Sequence, residues 1–338
     1  LRAIIENEFE DGQRFYTERD LIKHLGASLL TVRRALTDLA TEGLLVRRVG
    51  SGTHVRKGGA LKSVGVFLPD YNSPALVQML EALADAARSV RARLNVYHTH
   101  KGESAREALL HVQSSPQEEG MLLLGNTTDV NLTLQADLAT RGFRVVLLNN
   151  CIEGLPVSCV GLDDRKTVEA GLDHLRGLGH SRILFLVSEP LDGAGIRAKH
   201  DAMERLLAAR RLKESSILVC GTKAFEDSYD AAYRRMPEIM SRASRPTAIF
   251  AVSDAGAFGA LRYCLEQHVP VPAEISVLGI NNSPSSRFAH PALTTFAFPM
   301  KKIAEKALQL LAKKEPPGRA YWFLPELIER ESTGRAPN

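Results

Sequence analysis

The sequence predicts an α/β protein: a small helical head followed by a larger domain of two lobes, each a parallel sheet flanked by helices. Three observations lead there. Beyond residue 62, short wholly apolar runs alternate with helical patterns, the mark of strands buried on both faces of a parallel sheet. About 270 residues of this texture exceed one simple sheet, so two similar lobes are expected. The first 57 residues read instead as short helices and a hairpin, and Gly58-Gly59-Ala60 supplies a flexible joint between the two textures.

Within the head, Leu1, Ile4, Ile5 and Phe9 recur at helical spacing until Asp11-Gly12 stops the pattern. Thr17-Glu18-Arg19-Asp20 sets a hydroxyl three residues before an acid, a reciprocal capping signal that opens a helix. That helix carries Leu21, Ile22 and Leu25 and closes at Gly26. Ser28 caps the next, expected over 28–40 with Val32, Leu36 and Leu39 inward and Gly43 at its end. Leu44-Leu45-Val46-Arg47-Arg48 and Thr53-His54-Val55-Arg56 then flank the turn Gly50-Ser51-Gly52 as two short strands. Helix, turn, helix and basic hairpin is the layout of a winged helix-turn-helix, assigned to 1–57 with a linker at 58–62.

The larger domain, 63–338, places strands at Val64–Leu68, Met121–Leu124, Val145–Leu148, Ile183–Val187, Ile249–Val252 and Ile275–Ile280, with amphipathic helices such as Leu76–Arg93 and Val168–Leu178 between them. Lobe one is expected over about 63–160 and 292–320, lobe two over about 161–291 and 321–334. Ligands of open parallel sheets sit beyond the carboxyl ends of the strands. Asp70 and Tyr71, Asn149, Ser253 and Asp254, and Asn281 stand at such ends.

Composition narrows the class. The net charge is +4, yet between Arg33 and Lys62 seven basic residues face two acids, a local net of +5. A basic segment beside a near-neutral remainder points to a polyanionic partner for one end of the chain. No apolar run approaches the roughly 18 residues that span a bilayer, so no membrane role is expected. The opening residues lack the basic and apolar regions of a secretory signal, and the chain starts on Leu1. Cys151, Cys159, Cys220 and Cys264 form no C-x-x-C and fit reduced thiols in a cytoplasm.

Residues 16–57 resemble a GntR-type winged helix-turn-helix: T-E-R-D-L at 17–21, S-x-x-T-V-R-R-A-L at 28–36, E-G-L-L at 42–45 and G-S-G-T-x-V at 50–55. Residues 62–334 resemble the effector domain of LacI/GalR-type regulators, the two-lobed fold shared with periplasmic sugar-binding proteins. That likeness rests on V-G-L-D-D at 160–164, L-G-H-S-R-I at 178–183, G-I-R at 195–197, P-T-A-I-F-A-V-S-D at 246–254, V-P-A-E-I-S-V at 271–277, P-A-L-T-T at 291–295 and R-E-S-T at 330–333. The combination resembles the arabinose-responsive branch, in which a GntR-type head carries a LacI-type sensor. It implies a cytoplasmic DNA-binding repressor that works as a homodimer.

Groove reading needs a helix end bearing hydroxyl and basic groups. Ser28, Thr31 and Arg33 share the exposed amino-terminal turns of the second helix, with Thr17 and Arg34 beside them. Arg19 falls on a position where the resemblance implies a backbone contact. The wing tip Gly50-Ser51-Gly52 lacks bulk and suits a minor groove, while Arg48 and its basic neighbours face phosphates. GntR-type heads often carry Arg where this chain has Leu29, so base reading is either relocated or replaced by apolar contact with thymine methyls. Leu30 is counted among the DNA contacts, with a place in the three-helix core as its alternative.

For the sensor, Arg197 falls on the effector-binding Arg of the resemblance, its rigid fork suited to two vicinal oxygens. Asn149 and Asn281 match positions that are often Asp in relatives; as amides they both donate and accept. Asp254 borders the ligand or caps the helix it opens, and Tyr71 or Phe67 offers a stacking face. His98-Thr99-His100 has no carboxylate or Cys at useful spacing, and neither metal nor cofactor is expected. A solute-binding protein or an enzyme on the same fold is the alternative. The first has no use for a basic wing, and the second needs a nucleophile with an adjacent base that the sequence does not show.

Overall fold

The computed structural model describes residues 1–10, 12–41, 44–48, 52–55, 61–68, 74–98, 120–124, 144–149, 157–191, 194–221, 226–312 and 318–337. In the head, α1 (Arg2–Glu8), α2 (Glu18–Leu25) and α3 (Leu29–Thr41) precede an antiparallel hairpin of β1 (Leu45–Arg48) and β2 (Gly52–Val55). The capping box forms as the sequence asks: the Asp20 N–H donates to Thr17 Oγ1 at 3.3 Å and the Thr17 N–H donates to Asp20 Oδ2 at 2.9 Å. Gly26 ends α2 in the left-handed region at φ 60°, where a side chain would be strained. The Thr31 N–H then donates to Ser28 Oγ at 3.2 Å and starts α3.

Ile5, Phe9, Phe15, Leu21, Val32, Leu36, Leu39, Leu45 and Val55 close one small core, so helices and wing are packed as a unit. The wing is pinned further by the segment before α2. Gly12 N–H donates to Val55 O, Val55 N–H to Gln13 O and Phe15 N–H to Thr53 O, at 2.9, 2.7 and 2.7 Å.

The larger domain has two six-stranded sheets. The first runs β13-β7-β6-β5-β3-β4 and is parallel throughout: β3 (Ser63–Leu68), β4 (Arg93–His98), β5 (Met121–Leu124), β6 (Val145–Leu148), β7 (Ser158–Leu162) and β13 (Ala320–Phe323). The second runs β14-β12-β11-β10-β8-β9, from β8 (Ile183–Val187), β9 (Ser216–Val219), β10 (Ala248–Ala251), β11 (Ser276–Ile280), β12 (Thr294–Ala297) and β14 (Glu326–Ile328). Only its β12–β14 pair is antiparallel.

Helices α4 (Pro74–Ser89) and α9 (Met300–Ala312) cover the first sheet through Met79, Leu83, Ile303 and Leu311. The second sheet is covered by α5 (Asp164–Gly177), α6 (Ala194–Ala209), α7 (Ser228–Met240) and α8 (Asp254–Glu266), with cores on Phe185 and Phe250 on one face and Met236, Ile249 and Cys264 on the other. A 3-10 helix, Pro284–Arg287, follows β11.

The chain crosses between the sheets after β7, after β12 and after β13. Because β12 pairs in the second sheet and β13 in the first, the crossings expected near 292 and 321 move to 298–299 and 324–325. Every apolar run read as a strand overlaps one, with Val252 and Ile275 falling just outside β10 and β11. The strands left unread are chiefly sheet edges: β4, β9, β13 and β14 each have one neighbour, and β9 and β13 are only partly buried. β12 carries buried Thr294 and Thr295, whose hydroxyls are bonded and so tolerate the core.

One expectation is corrected. Cys159, in β7, is disulfide-bonded, while Cys220 and Cys264 are free thiols that burial pushes up to about 11. Cys151 lies outside the described residues. Separation along the sequence misled here, since a disulfide depends on distance in the fold.

Candidate functional site

The face of the head expected to read DNA starts at the amino end of α3. Ser28, Leu29, Leu30, Thr31, Arg33 and Arg34 are all exposed there, as are Thr17 and Arg19 at the start of α2. The Ser28 and Thr31 hydroxyls lie 2.9 Å apart. Leu30 is 78% exposed, which removes it from the three-helix core. Arg33 donates through Nε to Glu18 Oε2 at 3.0 Å, so one of the expected DNA contacts is ion-paired across the helix junction.

Gly52 opens β2 at φ 92°, and a Cβ there would meet Arg14 Nε at 3.2 Å. Arg14 therefore adds a cation beside the wing that the sequence did not offer, since 38 positions separate it from Gly52. Arg48 ends β1; its side chain, with Gly50 and Ser51, lies outside the described residues. Hydrogen bonds from Thr17 hold the Asp20 carboxyl below its usual range, keeping the cap ionised.

In the larger domain Asn149, Ser253, Asp254 and Asn281 lie just past the carboxyl ends of strands from both sheets. Asn149, just past β6, adopts φ 61°, donates its N–H to Val160 O at 2.9 Å, and holds a buried Oδ1 without a partner among the described residues. Such an orphaned acceptor suits a ligand hydroxyl. Asn281, past β11, adopts φ 117° and donates its N–H to Phe296 O at 2.9 Å. Its neighbour Asn282, at the same strand end, joins the lobes: Gln78 on α4 donates through Nε2 to its carbonyl at 3.2 Å.

Asp254 is buried and does not cap the helix it opens. The helix cap is Ser253, whose Oγ accepts from Gly256 N–H at 3.4 Å. Asp254 turns inward, accepting from Ser283 N–H at 2.6 Å through Oδ2 and from Thr295 Oγ1 at 2.5 Å through Oδ1. Burial pushes its carboxyl up to about 6 against those hydrogen bonds. It ties the end of β11 to α8 and β12, holding Asn281 and Asn282 in place.

Arg197 is exposed on the first turn of α6, where its Nε donates to Leu191 O at 2.9 Å. Asp70 and Tyr71 lie outside the described residues, as do Thr99 and His100. Phe67 is buried in β3, a core residue and not a stacking face. His180 is core as well, facing Thr247 Oγ1, Ser276 Oγ and Gly334 O at 3.0 Å each, with burial lowering its pKa.

A buried charged group also escaped the sequence. Lys199 Nζ stands 2.7 Å from Asp164 Oδ1, at the first crossing between sheets. Glu189, past β8, accepts from Ser228 Oγ at 3.3 Å and is bonded to Ser253; burial raises its pKa against the pull of Lys199. Only the fold brings these elements together.

Two family models match the chain: bacterial regulatory proteins of the gntR family over residues 1–55, and a periplasmic binding protein-like domain over residues 172–333. The HTH-type transcriptional regulator GalR of Salmonella typhimurium is 26% identical over 94% of this chain and 95% of its own length. The arabinose metabolism transcriptional repressor of Halalkalibacterium halodurans is 25% identical over 95% of this chain and 90% of its own. Among solved structures, a LacI family transcriptional regulator from Enterococcus faecium with bound ribose superposes with a TM-score of 0.66 at 20% identity, covering 81% of this chain and 99% of that one. No helix among the described residues is long and apolar enough to cross a membrane. The chain thus joins a gntR-family DNA-binding head to a periplasmic-binding-protein-like domain, and it is a transcriptional regulator.

Proposed function

We propose that the protein is a cytoplasmic repressor whose grip on a DNA operator is released when a sugar-like molecule fills the cleft between its lobes. One observation carries the reading: an exposed helix amino terminus shares the chain with two parallel sheets whose strand ends present Asn149 from one lobe and Ser253 and Asn281 from the other. The ribose in the Enterococcus relative supports a sugar as the class of ligand.

On the DNA side, Ser28, Leu30, Thr31 and Arg34 enter the major groove. Thr17, Arg19 and Arg33 hold phosphates, and Arg48 with Gly50-Ser51-Gly52 places the wing. On the sensor side, Arg197 forks onto two neighbouring oxygens, Asn149 and Asn281 take hydroxyls, and Asp70 and Tyr71 are assigned to the same ligand. Asp254 acts as a positioning residue. Two copies pair through residues 63–338, so that two heads meet a near-palindromic site, and the 58–62 joint passes on the change. Closure acts through Gln78 and Asn282, whose hydrogen bond links the lobes.

A thermal-shift screen of the full chain against sugars, polyols and sugar acids tests the sensor role. At a hundredfold excess over its Kd, a ligand stabilises by about 2.7 kcal/mol. A compound that raises Tm for the wild type and not for Arg197→Ala supports the assignment; a screen without any stabilising compound contradicts it.

A further inference from the structure

We infer that Leu30 selects thymine, its outward side chain meeting the 5-methyl group of a thymine in the major groove. The inference rests on the DNA-reading role proposed above. Leu30 is the most exposed of the large apolar side chains described, at 78%. Helical geometry explains that exposure. Val32, Leu36 and Leu39 face the core, and a residue two positions before Val32 is turned roughly 200° from it. Arg34, one turn further along, shares the outward face with Leu30.

The polar groups around Leu30 are engaged. The Ser28 and Thr31 hydroxyls lie within hydrogen-bond distance of each other, Ser28 Oγ also accepts the Thr31 N–H, and Arg33 Nε is held by Glu18. The first turn therefore offers a base pair an apolar tip. Along the major groove, thymine alone presents an apolar group, its 5-methyl, and a good bidentate donor for guanine is absent at Leu29 and Leu30. The same face carries Arg33 and Arg34, and that charge favours a polyanion over an apolar protein surface as the occupant.

The experiment separates methyl contact from DNA binding as such. The full chain enriches duplexes from a randomised pool, and each thymidine of the enriched sequence is then replaced in turn by deoxyuridine, which removes only the methyl. Wild type is expected to bind roughly fourfold more weakly when one contacted methyl is lost, the value of one buried carbon. Leu30→Ala abolishes the preference for thymidine over deoxyuridine, and Leu30→Met, which keeps an apolar reach, restores it; circular dichroism melts establish that both variants are folded. Wild type indifferent to every replacement overturns the inference, as does Leu30→Ala that keeps the wild-type preference. A chain that enriches no sequence overturns the DNA-reading role itself, a result distinguishable from an enriched duplex whose methyls do not matter.

Discussion

Arg33 on α3 is ion-paired with Glu18, the first residue of α2, at 3.0 Å. Both side chains are partly exposed, so the pair contributes no more than about 1 kcal/mol to stability. If Arg33 holds a phosphate as proposed, that phosphate must compete with Glu18 for the guanidinium. Glu18→Gln is expected to tighten binding by releasing Arg33 and removing a negative charge from the interface. Arg33→Ala is expected to weaken binding about evenly across sequences and to lower the slope of log K against log salt by about 1. Anisotropy titrations over a salt series read both; an unchanged slope in Arg33→Ala removes it from the phosphate contacts.

Asp254 is expected to make the stability of the larger domain depend on pH. Its folded pKa of about 6 lies above the ordinary carboxylate value of 3.8, so the folded state holds a proton that the unfolded chain has lost. Its contribution is present at low pH and is lost as pH rises through about 6. Relative to Asp254→Asn, which carries no charge, wild type should lose up to about 3 kcal/mol of stability between pH 4 and pH 7. Urea melts of the two proteins at both pH values give the difference directly. A flat difference would mean that the carboxylate is ionised in the fold without cost. The buried histidines 174 and 180 act in the opposite sense, which is why the comparison uses a variant.

Gly279 in β11 has no room for a side chain: a Cβ would lie 2.5 Å from Asp254 Oδ1 and 3.0 Å from a Leu293 methyl. Gly279→Ala should therefore dislodge Asp254 from Thr295 and Ser283 and cost about 1–3 kcal/mol, the usual penalty for overpacking. A wild-type Tm for Gly279→Ala would contradict the rigid placement of Asp254.

The head was almost wholly legible, because its signals are local. Thr17 with Asp20, Gly26 and Ser28 each act within one turn of backbone, and Val32, Leu36 and Leu39 repeat at helical spacing. Most interior strands were legible for a related reason, since burial on both faces favours an unbroken apolar run. The exceptions, β7 and β12, carry buried Ser158, Thr294 and Thr295. The edge strand β4 alternates in polarity and gave no such run, and the edge strand β13 is short and only partly buried. The site was readable only as positions at strand ends. That Asp254 turns toward Thr295, that Lys199 meets Asp164, and that Arg14 flanks Gly52 are facts of long-range packing.

One titration tests most directly the proposal that filling the cleft between the lobes changes how the head holds DNA. A genomic fragment enriched by the full chain is bound, and a compound that stabilises the protein is added at increasing concentration. The predicted result is a loss of DNA affinity of about 5- to 150-fold at saturation, the usual range of coupling between two sites, with no response in Arg197→Ala. Equal affinity for the fragment with and without the compound would contradict the account.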